Sequence, residues 1–218
     1  MELLNSRFDV QAIYYTELGR SSRFDSFKGG LVTTKEMSQI TALATASPVL
    51  AIVSKTKQTS DQIALSQQRV LILDSIRDPG NLGTIIRSAD WFGIKTIVAS
   101  LDTVDVFNPK VIQATMGSVF RVEVDYQELY QLAEWKIRNP EFKFYGAMLE
   151  GKPSNTLRTC PGFGGLIIGN ESFGISNEIQ ALIDTPVTIE RIGKAESLNA
   201  SVSAAILLYE WCGLSLKV

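Results

Sequence analysis

The chain has 218 residues, 45% of them apolar and 20% charged, which leaves room for one medium domain and a smaller one. It contains no histidine, which excludes Ser-His-Asp and Cys-His catalysis, histidine-dependent zinc sites and a histidine general base. With 21 basic and 23 acidic residues the net charge is −2, so the overall basic excess usual in a nucleic-acid binder is missing and only a local basic face remains open.

The opening stretch, Met1 to Val10, carries Glu2, Arg7 and Asp9 and does not read as a signal peptide. Apolar runs such as Val70–Leu73 are far too short to cross a bilayer, so the chain reads as cytoplasmic. Residues 1–55 form a small α/β domain in this reading. Val10–Tyr15 is a β-rich run, and Gly29-Gly30 leads into Leu31–Thr33. Thr34 caps a short helix from Lys35 to Leu43, and Pro48–Val53 is a further strand. The polar, aperiodic SKTKQTS run, Ser54 to Ser60, has linker composition, and residues 56–67 are assigned to a linker.

From residue 68 to 218 strands and helices alternate, which predicts an α/β domain with a mainly parallel sheet. Strands are expected at Val70–Leu73, Lys95–Ala99, Val122–Val124, Lys143–Met148, Gly165–Ile168 and Val187–Ile189. Helical spacing runs over Asn81–Phe92 through Ile85, Ile86, Ala89 and Trp91. Further helices are expected at Pro109–Thr115, Gln127–Ile137, Asn177–Ile183 and Leu198–Gly213. Cys160 and Cys212 have neither metal-ligand nor CxxC spacing, and Cys212 reads as a buried thiol.

Three segments at strand exits carry polar residues and glycine. Asp78-Pro79-Gly80-Asn81-Leu82-Gly83 opens a helix; it is either a capped tight turn or a ligand loop at a helix N-terminus. A dinucleotide fingerprint fits it poorly, with two glycines at the wrong spacing and only Asp102, about 20 residues on, in its favour. Gly169-Asn170-Glu171-Ser172-Phe173-Gly174-Ile175-Ser176 is a second glycine-bearing turn, in which Ser176 is a candidate cap. In the third, Ile189 to Val202, either Ser197 or Asn199 caps the last helix. One crevice at the carboxyl edge of a parallel sheet would collect all three, which argues for a ligand site without naming a reaction.

Asn81-x-Gly83-x-x-x-Arg87-x-Ala89, then Gly169-Asn170-Glu171 with Gly174, then Ser197-Leu198-Asn199-x-Ser201 resemble, in order and spacing, the three motifs of the SpoU/TrmH RNA ribose methyltransferases of the SPOUT superfamily. Asn108-Pro109-Lys110 to Met116-Gly117-Ser118 resembles the segment between the first two motifs, and the likeness spans about Val70 to Trp211. It implies a C-terminal trefoil knot, a homodimer, an RNA substrate (ribosomal ahead of transfer RNA) and S-adenosylmethionine as methyl donor, with no metal. It implies a donor site lined by Ala147, Leu149, Gly169, Ile189 and Leu198, and catalytic-site positions at Asn81, Arg87, Glu171, Ser197 and Asn199. Asn81 and Arg87 would serve a site completed by a partner subunit.

The chain departs from the family at Glu190-Arg191, where Pro-Met is usual, and at Gln113, where many relatives carry arginine. Residues 1–55 resemble a ribosomal-protein-like α/β domain used to grip RNA, shortened by an opening helix and strand. These departures keep a non-catalytic RNA-binding protein of the same fold as the alternative; a nucleotide-dependent oxidoreductase is a distant third.

Overall fold

The computed structural model describes residues 2–43, 45–55 and 68–213; the expected linker, 56–67, lies outside the described residues. The chain divides into two compact units, residues 1–57 and 58–218.

In the first unit, β1 (Val10–Tyr15) lies between β2 (Gly29–Leu31), which it pairs in parallel, and β3 (Val49–Val53), which runs antiparallel. Gly29, at φ 114°, lies so close to the main chain of Ile13 that a Cβ there would come within 2.1 Å of its carbonyl oxygen. Helix α1 (Thr34–Ile40) is capped one residue earlier than expected and ends sooner. Thr33, not Thr34, accepts from the Glu36 amide, and the Glu36 carboxylate accepts from the Thr33 amide in return. Met37, on the inner face of α1, is fully buried, while Leu43 lies beyond the helix end.

The second unit is a six-stranded, wholly parallel sheet in the order β6-β5-β4-β8-β7-β9. Its strands are β4 (Arg69–Leu73), β5 (Thr96–Ala99), β6 (Glu123–Tyr126), β7 (Phe144–Pro153), β8 (Gly164–Ile168) and β9 (Thr185–Thr188). Central strands of a parallel sheet are covered on both faces, so they read as continuous apolar runs. Leu71, Leu73, Leu166 and Ile168 face one layer, while Val70, Ile72 and Ile167 face the other.

The first layer holds α2 (Pro79–Trp91), α3 (Pro109–Thr115) and α6 (Ala200–Cys212), through Leu82, Ile85, Ile86, Val111, Ala204 and Leu207. The second holds α4 (Gln131–Arg138) and α5 (Asn177–Gln180), through Leu132 and Ile179. Buried side chains at 82, 85, 86 and 89 make one stripe of α2, each large one contributing roughly 1.5–3 kcal/mol of burial. Trp91 does not continue that stripe; it is 85% exposed at the helix end.

Other boundaries moved for local reasons. Helix α4 begins at Gln131, four residues later than expected, because the Gln127 amide still bonds the Ala99 carbonyl of β5 and a turn at 129–130 follows. Helix α5 stops at Gln180, since Leu182 and Ile183 turn back in 3-residue bonds towards β9. Strand β6 starts and ends slightly later than Val122–Val124. Strand β7 is longer than Lys143–Met148, and β9 covers Thr185–Thr188, leaving Ile189 just past its end. The two are linked unusually: β9 is in register with Tyr145–Ala147 and again with Lys152–Pro153, so the chain of β7 bends round it. At that bend a side chain on Gly151 would lie 2.7 Å from the carbonyl of Pro186.

Connections from β4 lead to β5 and β6 on one side, while β8, β7 and β9 lie on the other. The order reverses between β4 and β8, and the loops leaving these two strands flank the point where open α/β sheets bind ligands.

Candidate active site

Asp78 caps α2 by accepting from the Asn81 amide at 2.8 Å, with Pro79 in the first helical position. This leaves the Asn81 side chain in the first turn of α2, beside the reversal point. Asn199 caps α6: its Oδ1 accepts from the Ser201 amide (2.9 Å), the Ser201 hydroxyl (2.6 Å) and the Val202 amide (3.3 Å). Asn199, not Ser197, is therefore the cap, and its Nδ2 remains free to donate to Asn81 Oδ1 at 2.9 Å. Asn81 Nδ2 in turn donates to the Glu171 carboxylate. Residues 81, 171 and 199, from three distant segments, thus form one hydrogen-bonded row.

The turn holding Glu171 is fixed from two sides. Asn170 and Gly174 exchange main-chain bonds at 3.0 and 2.9 Å, and Gly169 packs so tightly that a Cβ would fall 2.3 Å from the Gly174 carbonyl carbon. Asn170 Nδ2 donates to the Ser75 carbonyl (2.8 Å), and Asp74 Oδ2 accepts from the Ser176 amide (2.8 Å). These two bonds join the β4 exit to the β8 exit. Ser176 precedes α5 but makes no side-chain cap.

Ser75 adopts a left-handed backbone at φ 60° and donates to Asp102 at 2.8 Å. Asp102 also accepts from Ser100 (2.7 Å) and Arg77 (2.9 Å), so it buttresses the β4 exit. Partial burial raises its carboxyl pKa, but the bonds from Arg77, Ser100 and Ser75 outweigh burial and hold it below the usual aspartate value.

Arg87 lies elsewhere. Six residues separate it from Asn81, roughly a third of a turn off the same face, and with Thr84 and Trp91 it forms an exposed stripe of α2. Ser197 is exposed in the loop before α6. Among the described residues neither side chain joins the Asn81–Glu171–Asn199 row.

Gly169 and Ile189 stand at the exits of β8 and β9, and Ala147 lies within β7 opposite Val187 of β9; Ala147 and Ile189 pack half-buried on the core. Leu149 is 79% exposed, and its carbonyl accepts from Thr188 at 3.0 Å; Leu198 is 46% exposed. Glu190 and Arg191 are exposed in the following loop. A cavity of about 300 Å³ lined by Gln68, Arg69, Phe92 and Lys95 sits at the amino ends of β4 and β5, the opposite edge of the sheet. No cluster able to hold a metal ion occurs among the described residues, and no helix among them is long and apolar enough to cross a membrane.

Asn170, Asp74 and Ser75 are the residues that sequence reading left without a role. Their partners lie 95 and 102 positions away, so no local pattern marks them.

Known proteins resemble this chain in sequence and fold. The chain is 36% identical over 147 residues to the 23S rRNA (guanosine(2553)-2′-O)-methyltransferase RlmP of Bacillus subtilis (strain 168), an alignment covering 67% of this chain and 58% of that protein. The chain spans about three-fifths of the length of the curated relatives it matches. A TrmH-family chain from Porphyromonas gingivalis superposes with a TM-score of 0.83 at 30% identity, covering 98% of this chain and 86% of that one. The AdoMet-bound rRNA methyltransferase of Sinorhizobium meliloti superposes with a TM-score of 0.85 at 26% identity, covering 99% and 84%. The model of the SpoU rRNA Methylase family matches residues 68–209, all three strand-exit segments included, and the chain belongs to that family.

Proposed function

We propose that this chain transfers a methyl group from S-adenosylmethionine to a ribose 2′-hydroxyl of RNA. The observation that carries the reading is the Asn81–Glu171–Asn199 row at the reversal point of the sheet. The names of the relatives, a 23S rRNA 2′-O-methyltransferase and an AdoMet-bound rRNA methyltransferase, support it and favour ribosomal over transfer RNA.

The strand exits suit the donor. An adenosine with a methionine tail needs apolar walls and main-chain polar groups. Ala147, Leu149, Ile189 and Leu198 offer the former, while the exit loops at Gly169 and Thr188–Ile189 offer the latter. S-adenosylmethionine supplies an electrophilic methyl on a sulfonium, whose in-line displacement removes positive charge at sulfur. This chain's residues would align the hydroxyl and stabilise the developing alkoxide.

A ribose hydroxyl is a weak acid and needs a nearby cation. Arginine stays protonated in proteins, which makes it a poor base but a good clamp for phosphate and a stabiliser of alkoxide. We assign that role to Arg87, with Asn81 orienting the hydroxyl or the guanidinium. Glu171 and Asn199 set the amide orientation of Asn81, and Ser197 positions the main chain before α6.

Arg87 lies off the row, on an exposed stripe with Thr84 and Trp91, which supports a homodimer in which one copy's arginine serves the other's row. The bend of β7 round β9, followed by α6 packed on α2 and on the 154–159 turn, supports a trefoil knot in residues 68–218. We assign residues 1–55 to RNA binding, 56–67 to a linker, and the protein to the cytoplasm.

The test is transfer of labelled methyl from S-adenosylmethionine to unmodified ribosomal and transfer RNA, with Arg87→Ala alongside. Label on ribosomal RNA that disappears with Arg87→Ala is expected. Equal labelling by the variant would remove Arg87 from the chemistry, and label on transfer RNA alone would overturn the substrate assignment.

A further inference from the structure

We propose that the ring of Phe173 is a stacking platform for a nucleobase of single-stranded RNA, set beside the Asn81–Glu171–Asn199 row. The inference rests on the reading of that row as facing an RNA ribose.

Phe173 is 85% exposed although it is a large apolar ring. It sits two residues after Glu171 on the turn closed by the Asn170–Gly174 bonds. That turn is ordered without help from the ring. Asn170 Oδ1 accepts from the amides of Ser172 (2.8 Å) and Phe173 (3.3 Å), while its Nδ2 is tied to the Ser75 carbonyl. Gly174 closes the turn at φ 70°, in the left-handed region. The ring is thus presented to solvent on a main chain whose conformational freedom is already spent, which lowers the entropic cost of binding.

A flat aromatic face is the group on which unstacked RNA bases rest, and such contacts tolerate any base. The exposed side chains of Leu101 after β5, Leu149 in β7, Ile192 after β9 and Leu198 before α6 are aliphatic and offer no such face. Trp91 and Tyr209 are aromatic and exposed, but they belong to helices α2 and α6 rather than to the loop that carries Glu171. Phe173 combines an aromatic face, exposure and a covalent tie to the row.

The test measures binding of end-labelled, short single-stranded adenosine and uridine oligoribonucleotides to the full chain and to Phe173→Ala, Phe173→Leu and Phe173→Trp. S-adenosylmethionine affinity and molecular mass are measured on the same samples. Loss of one stack predicts about 5- to 150-fold weaker oligonucleotide binding for Phe173→Ala. Phe173→Leu should resemble Phe173→Ala, and Phe173→Trp should match the wild type, with donor affinity and mass unchanged throughout. The platform is overturned by a wild type that binds neither oligonucleotide, or by Phe173→Leu binding as well as phenylalanine. A loss that tracks a change in mass would assign the ring to a second copy, and one that tracks donor affinity would assign it to the donor; either overturns the platform. A wild type that binds RNA through Phe173 yet takes no S-adenosylmethionine would sink the methyltransferase reading and leave the platform standing.

Discussion

Asn199 does two separable things, and two substitutions should pull them apart. Its Oδ1 caps α6, and its Nδ2 donates to Asn81. Asn199→Ala removes both. Loss of the cap costs ~1 kcal/mol, and the exposed bond to Asn81 adds up to about 1 kcal/mol more. For a unit of this size, where 1 kcal/mol corresponds to ~2–4 °C, Tm should fall by about 2–8 °C. Asn199→Asp keeps an oxygen for the Ser201 and Val202 amides, and a carboxylate at a helix N-terminus is favourable. Its Tm should stay within about 1–2 °C of wild type.

The aspartate nevertheless destroys the row. Asn81 would then face a carboxylate at residue 199 and another at Glu171, and its single amide donor group cannot be turned towards both. Misplacement of a positioning group on this scale lowers turnover by about 10- to 100-fold. Thermal melts followed by circular dichroism, paired with labelled-methyl transfer, separate the outcomes. Asn199→Asp should be about as stable as wild type and about 10- to 100-fold slower. An Asn199→Asp protein with full activity would refute the row as a positioning device, and one as unstable as Asn199→Ala would refute the assignment of the cap to Oδ1.

Asn170→Ala cuts the tie to Ser75 and frees the turn carrying Glu171, so kcat should fall about tenfold in steady-state transfer assays while Tm drops by only a few degrees. Gly83→Ala places a Cβ 2.4 Å from the Cβ of Ala114 and 2.9 Å from the Val111 carbonyl. The ~1 kcal/mol gained in helix propensity is outweighed by forcing α2 and α3 apart, and thermal melts should show a lower Tm. Asp125 is buried with Oδ2 lacking a hydrogen-bond partner; burial first, and then the charge of Glu123, raise its carboxyl pKa. A raised carboxyl gives stability that is present at low pH and lost as pH rises through the folded-state value. Asp125→Asn should therefore raise Tm at neutral pH and shrink its decline above the ordinary carboxylate range; an unchanged profile in melts across pH would contradict the burial argument.

The parallel sheet was legible because β4, β5 and β8 are buried on both faces and so appear as unbroken apolar runs. Helix α2 was legible from the spacing of Ile85, Ile86 and Ala89, although it begins two residues before the expected Asn81, at Pro79 behind the Asp78 cap; α3 has the expected bounds, Pro109–Thr115. The far half of β7 was not: residues 149–153 are exposed, include Gly151 and Pro153, and are held in the sheet through β9, with which Lys152 and Pro153 are in register. At the site, Asn81, Glu171 and Asn199 were legible as motif residues, yet the bonds that order them span 90 and 118 positions. The ties through Asp74, Ser75 and Asn170 exist only once β4 and β8 are neighbours. Asp102, the one feature in favour of a poorly fitting dinucleotide fingerprint, is bonded by Ser75, Arg77 and Ser100, contacts that also exist only in the folded chain.

The most direct test of ribose methylation is the fate of the label when methylated RNA is hydrolysed in alkali. A 2′-O-methyl group blocks cleavage at its own phosphodiester, so the label should appear in alkali-resistant dinucleotides from a single position. Label released entirely in mononucleotides would place the methyl on a base and contradict the account.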